Sequence, residues 1–281
     1  MSHSRVLVLT ALAMIAFAGN SLLCRLALKE TGIDAASFTA IRLMAGALTL
    51  WFIVRLRSDG KPPAGDWRSA WALFVYAICF SFAYIDLSTA TGALLLFGAV
   101  QATMIGYGWW KGERLRPWQI AGIALALAGL AGLLLPGLSA PPLTGALLML
   151  GAGVAWGVYS LRGKAAGDPT CMTAGNFLRA APLAMALGMI LLPWATVDRA
   201  GAWYAVLSGA LASGVGYAIW YAALRGLSAA TAATVQLSVP VIAAAGGVVL
   251  LAEPMTLRLL MASVAILGGV ALVIANRQSA G

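Results

Sequence analysis

The chain repeats itself. Ser88-Thr89-Ala90-Thr91-Gly92-Ala93 recurs as Ser228-Ala229-Ala230-Thr231-Ala232-Ala233, and Lys111-Gly112-Glu113-Arg114-Leu115 returns as Leu251-Ala252-Glu253-Pro254-Met255, both at an offset of 140. Arg42 and Arg179 lie 137 apart, and Gly19 and Gly157 lie 138 apart. Several landmarks at nearly one offset mean two copies of one unit. In a strongly apolar chain, duplication of this kind points to a membrane transporter with a solute site at the seam between the copies.

Composition sets the medium. The 281 residues are 62% hydrophobic and 10% charged, with a mean hydropathy of +0.91. Soluble domains carry about 25% charged residues. The apolar runs have the roughly 20-residue length of membrane-crossing helices, not the roughly 10-residue alternation of barrel strands. The expectation is therefore an all-α integral membrane protein. Ten transmembrane helices can be drawn, near 6–28, 35–54, 69–88, 90–109, 117–135, 142–161, 172–192, 203–223, 229–251 and 257–275. The first run lacks a convincing cleavage site and reads as a retained span. Pro136-Gly137 to Pro141-Pro142 form the natural hinge, which divides the chain into repeats 1–138 and 139–281. Cys24, Cys79 and Cys171 are scattered and suggest neither a disulfide framework nor a metal site.

Charge orients the spans. Arg5, Arg55, Arg57, Lys61, Arg68, Lys111, Arg114, Arg116, Arg162, Lys164, Arg225 and Arg277 fall in one set of loops, and only Arg25, Lys29, Arg199 and Arg258 in the other. Basic loops stay in the cytoplasm, so the N and C termini are both expected there. The same rule accounts for the net charge of +9 without nucleic acid. Five spans per copy is an odd number, so the second copy enters the membrane upside down. The result is two inverted five-helix repeats, with two related conformations open to opposite sides. Trp51, Trp67, Trp71, Trp109, Trp110, Trp118, Trp194 and Trp203 cluster at span ends, as interfacial aromatics do.

All nine acids map to loops or span ends, and the one histidine, His3, is near the start. A buried acidic proton carrier is therefore not expected, and facilitated diffusion or exchange fits better. The same shortage argues against an enzyme, which would need a nucleophile, a base or a metal near the midplane. No cofactor is implied. The candidate substrate-binding residues are uncharged: Asn20, Tyr84, Gln101, Trp156, Tyr159, Tyr217, Trp220 and Gln236. Amides inside hydrocarbon are costly unless bonded or facing a wet cavity, and aromatic rings suit a flat, amphipathic solute. Ordinary helix packing is the competing role for each. Arg42 and Arg179 are the candidate intramembrane charges, placed either to take a carboxylate or to brace their repeats through backbone carbonyls. Pro240 interrupts the ninth span as a hinge. Small residues four apart in spans five and ten allow a dimer as the alternative to a monomer.

At these residues the chain resembles the drug/metabolite transporter superfamily, in its ten-span branch of two EamA-type repeats. The matching elements are Phe17-Ala18-Gly19-Asn20-Ser21 with Ala155-Trp156-Gly157-Val158-Tyr159, then Ala40-Ile41-Arg42-Leu43 with Asn176-Phe177-Leu178-Arg179. The last pair is Gly112-Glu113-Arg114-Leu115 with Leu251-Ala252-Glu253-Pro254-Met255-Thr256. The family's proline in the fourth span is absent, with Val100 in its place, while Pro240 keeps the one in the ninth. Within the superfamily the chain is most similar to bacterial aromatic amino-acid exporters. That resemblance implies export of an amino acid, aromatic or neutral, from the cytoplasm across the bacterial inner membrane by alternating access. The alternative it leaves open is a drug, another metabolite or a nucleotide sugar. Where the copies differ, as at Asn20 against Val158 and Gln101 against Val241, the seam can distinguish the two ends of a solute.

Overall fold

A computed structural model describes residues 3–57, 63–112, 116–137, 140–163, 168–227, 232 and 235–275. These residues form ten helices and no strand. They are α1 (His3–Glu30), α2 (Ala35–Arg57), α3 (Trp67–Asp86), α4 (Thr89–Trp110), α5 (Pro117–Leu134), α6 (Leu143–Gly163) and α7 (Pro169–Ile190). After a 3₁₀ turn (Leu192–Trp194) come α8 (Arg199–Leu224), α9 (Ser238–Leu251) and α10 (Leu257–Ala275). Eight of them are long and apolar enough to cross a membrane. The other two are α7, which carries Asn176, Arg179 and Pro182 in its middle, and α9, whose described helical stretch is 14 residues. Glu113 and most of Ser228 to Ala233, which belong to the repeated motifs, lie outside the described residues, as do Asp59, Lys61 and Lys164.

The acids that the sequence places at span ends act there as caps. Asp66 accepts from the Ser69 amide, Asp168 from Thr170, Asp198 from Gly201, and Asp34 from Ala36 and Ser37. The first turn of a helix has unpaired N–H groups, and a carboxylate that takes one contributes about 1 kcal/mol. Hydrogen bonding also lowers three of these carboxyls. Burial pushes each up, but amide and side-chain donors outweigh it at Asp34 and Asp168, and at Asp66 Ser69 and Arg162 bring the group to about 2.

Helix pairing follows the sequence repeat. Exchanging each helix for the one five along turns α1–α8 into α6–α3, α1–α9 into α6–α4, α2–α8 into α7–α3, and α2–α3 into α7–α8. The pairs α2–α7, α4–α9 and α5–α10 map onto themselves. All of these pairs pack. The correspondence is not complete: α4 also packs on α10 with no more than marginal contact between α9 and α5 among the described residues, and the seam itself differs. α1 also meets α3 and α4, whereas α6 makes no more than marginal contact with α8 and α9 among the described residues. That difference opens a space on one side of the seam.

The outer surface is apolar. All eight tryptophans predicted at span ends are exposed, while Trp220 is buried and Trp156 partly so. Close helix approach depends on glycine. A Cβ on Gly209 of α8 would strike the carbonyl oxygen of Arg42 in α2, and one on Gly46 would lie 2.6 Å from the Phe177 ring. α8 is π-helical over Ser208–Val215, where it meets α1 and α2. Such insertions recur at functional sites.

Candidate functional site

The space in the seam is a cavity of about 700 Å³. Phe17, Asn20 and Ser21 of α1 line its inner part with Tyr76 and Phe80 of α3 and Leu96 and Phe97 of α4. Gln101 and Met104, Trp156 and Ser160, and Tyr217, Trp220 and Tyr221 form the walls. Gly163, Pro169, Leu224, Leu227 and Ala232 lie at the mouth, on the face where α6 and α8 end and α7 begins.

The walls are aromatic and ordered by ring contacts. Trp156 stacks between Tyr159 and Tyr217 with both centroids at 5.3 Å, and its ring lies 4.9 Å from Tyr76. Phe17 meets Tyr217 and Trp220 edge-on. Each such pair adds about 0.5–1.5 kcal/mol beyond the area it buries, so the walls are preorganised rather than loose. The polar groups converge on α1. The Asn20 amide donates to the Tyr76 hydroxyl at 3.2 Å, and Ser208 in the π-helical segment donates to the Asn20 side-chain oxygen at 2.6 Å. Gln101 is buried on the opposite wall and Gln236 is half-buried near the mouth.

The structure thus brings six of the eight uncharged candidates to one cavity: Asn20, Gln101, Trp156, Tyr217, Trp220 and Gln236. Tyr159 lies just behind the wall, where it supports Trp156 and bonds Thr173 and Asn176. Tyr84 lies one turn beyond the lining residue Phe80, fully buried, with its hydroxyl donating to the Thr89 carbonyl and its ring pressed on Gly92. Pro240 is the third residue of α9, just after a turn at Leu237. Its missing N–H leaves the Gln236 carbonyl without the usual helical donor, and Gln236 lines the cavity.

The floor is a charge cluster that the sequence does not single out. Glu253 pairs with Arg25 at 3.3 Å and accepts the Thr89 amide at the start of α4 at 2.8 Å. Arg25 also donates to the carbonyls of Tyr84 and Ile85 that end α3, at 2.8 and 2.7 Å. Both side chains are largely buried, 13% and 7% exposed. One ion pair therefore ties α1, α3, α4 and the α9–α10 junction together. The only signal in the sequence is that Glu253 belongs to a repeated motif.

The two intramembrane arginines differ. Arg179 donates to the carbonyls of Gly175, one turn back, and Ala64. Arg42 is 2% exposed, and its buried Nη1 has no hydrogen-bond partner. Its guanidinium carbon lies 5.0 Å from the Phe80 ring centre and 5.5 Å from that of Tyr76. No acid reaches it within ion-pair distance among the described residues. Cation–π contact returns about 0.5–2 kcal/mol per ring, against a desolvation cost of several kcal/mol for a buried ion. The rings alone do not balance the charge.

A ten-helix membrane bundle with a solute-sized cavity defines a transporter, and comparison with known proteins gives its family. The EamA-like transporter family model matches the chain twice, over residues 4–135 and 143–275. The chain belongs to that family, and it is a membrane transporter of small molecules, not an enzyme. An uncharacterized protein of Pseudomonas aeruginosa is 58% identical over 278 residues, covering 99% of this chain and 97% of its own length. The threonine/homoserine exporter RhtA of Escherichia coli K12 is 34% identical over 150 residues, and the match spans about half of each protein, 50% and 49%. A solved crystal structure superposes with a TM-score of 0.68 at 20% identity, covering 97% of this chain and 99% of its own, which is a likeness of fold alone.

Proposed function

We propose that the protein exports amino acids, neutral and chiefly aromatic, from the bacterial cytoplasm across the inner membrane. The observation that carries this reading is the cavity: closed at one end, open at the other, walled by stacked aromatic rings, with the side-chain amides of Asn20, Gln101 and Gln236 along its lining. A zwitterion with a flat side chain matches such walls. Kinship with an exporter of threonine and homoserine supports the amino-acid class.

The mouth lies on the face that receives most of the Lys and Arg residues, so the positive-inside rule puts it, with both ends of the chain, in the cytoplasm. Transport runs by alternating access between two inverted repeats, residues 1–138 and 139–281. The exchange pattern of helix pairs supports this, and its failure at the contacts of α1 and α6 marks the open side. In the opposite state the contacts of α1 with α3 and α4 loosen and those of α6 with α8 and α9 form. Pro240 is the hinge for α9. Among the described residues no acid lines the cavity, which supports a facilitative carrier. Nucleotide sugars, whose phosphates need several cations, fit poorly, because among the described residues no Lys or Arg lines the cavity.

Counterflow in proteoliposomes tests the reading with a panel of labelled amino acids, drugs and metabolites in competition. Saturable, trans-stimulated flux of an amino acid is expected. Gln101→Ala, Trp156→Ala and Gln236→Ala should each lower it by about tenfold or more, the rate equivalent of some 1.4 kcal/mol. Undiminished flux in all three would remove the site assignment.

A further inference from the structure

A cation buried beside the cavity, with no acid paired to it among the described residues, leaves a place for an anion. We propose that Arg42 is the carboxylate-recognition centre of the cavity, so that a solute must carry an anionic group to be held; this rests on the reading of the cavity as the solute site.

Four observations converge on Arg42. Its guanidinium lies against Tyr76 and Phe80, the two rings that line the inner end of the cavity. Its Nη1 is buried and unpartnered. Arg42 itself stands behind the lining residues, and among the described residues the lining includes no cation and no acid. The matching arginine of the second copy, Arg179, is tied to two backbone carbonyls, so bracing does not require a bare guanidinium at this position. An oxygen pair entering between Tyr76 and Phe80 would meet the guanidinium fork and neutralise a charge that is already desolvated. The Tyr76 hydroxyl, held by Asn20, lies beside that entry.

The same geometry decides what becomes of an amino group. Among the described residues no carboxylate lines the cavity, so an ammonium meets only neutral partners, ring faces such as those of Trp156 and Tyr217 and side-chain oxygens such as that of Gln101. An acid that has lost its amino charge should therefore still bind. An amine that has lost its carboxylate brings only a second cation toward Arg42 and should be rejected. Selectivity follows the anion, with the aromatic walls setting side-chain preference.

Matched probes test this on the full chain: phenylalanine, N-acetylphenylalanine, phenylalaninamide and phenethylamine. Binding is read as a rise in thermal unfolding temperature in detergent and as competition for labelled phenylalanine flux in liposomes. Phenylalanine and its N-acetyl form should bind at least tenfold tighter than the amide and the amine. Arg42→Met should unfold at or above the wild-type temperature, since it removes an unbalanced buried charge, and should lose the tenfold preference. Arg42→Lys should keep part of it. Equal binding of amine and acid by the wild type overturns the proposal, and so does a preference that survives in Arg42→Met. A lowered unfolding temperature in Arg42→Met that Arg42→Lys restores also overturns it, since that marks a brace. Carboxylate-selective binding without flux of any amino acid would overturn the export reading and uphold Arg42. No binding of any probe would overturn both.

Discussion

Arg25 and Arg162 stand 137 positions apart, toward the ends of α1 and α6, at matching places in the two copies. Arg25 is buried in the floor cluster, bonded to Glu253 and to the carbonyls that end α3. Arg162 lies on the open face, bonded to Asp66 at 2.9 Å and Ser69 at 3.0 Å, with its side chain 37% exposed. One residue type at one place in the repeat closes a cavity at one end and sits beside its mouth at the other. Repetition supplied the same side chains; burial made them unequal.

That inequality can be broken at its strong end first. Glu253→Ala leaves the Arg25 charge buried and the Thr89 amide unpaired, and should cost about 3–5 kcal/mol, read as a lowered unfolding temperature in detergent. A shift no larger than that of a surface variant would mean that the floor is not held by charge. Asn20→Ala comes next. It strands the buried Ser208 hydroxyl and takes one partner from that of Tyr76, and should cost about 1–3 kcal/mol by the same measurement, with Asn20→Ser recovering part. At the weak end, Arg162→Gln should cost under about 1 kcal/mol, because water and salt screen an exposed pair.

The smallest effect is that of pH. The Asp66 carboxyl is held at about 2, below its ordinary value, as Ser69 and Arg162 outweigh the rise that burial causes. A lowered carboxyl contributes stability that is fully present above its unfolded value near 4 and lost as pH falls toward 2. Unfolding temperature should therefore decline over that window by an amount that shrinks in Arg162→Gln. An identical profile in the variant would show that the hydrogen bonds from Ser69 alone lower the group.

Much of the fold was legible because it depends on local matters. A 20-residue apolar run must become a helix in a bilayer, since no water is there to take its backbone groups. Asp66, Asp168 and Asp198 read as span-end residues and act as caps, which is a matter of three or four neighbouring positions. Asn20, Gln101 and Gln236 could be picked out because an amide in hydrocarbon needs a reason to be there. The floor could not be read in this way. Arg25 and Glu253 are 228 positions apart, and each looks like an ordinary residue of a span end. Tyr84 and Tyr159 have the composition of cavity residues and lie one shell outside it, because helix rotation, not residue type, decides which face meets the seam.

By itself the sequence determined the solvent of this protein, the number and length of its helices, the duplication and the uneven spread of its basic loops. Those properties come from hydropathy and short-range hydrogen bonding, which act within a turn or a span. Only the tertiary structure decided which end of the seam is shut, which of two matching arginines is tied down and which is left bare beside the cavity. The reason is that the state of a buried charge is set by whatever packs against it, and in this bundle those neighbours come from helices far apart in the chain.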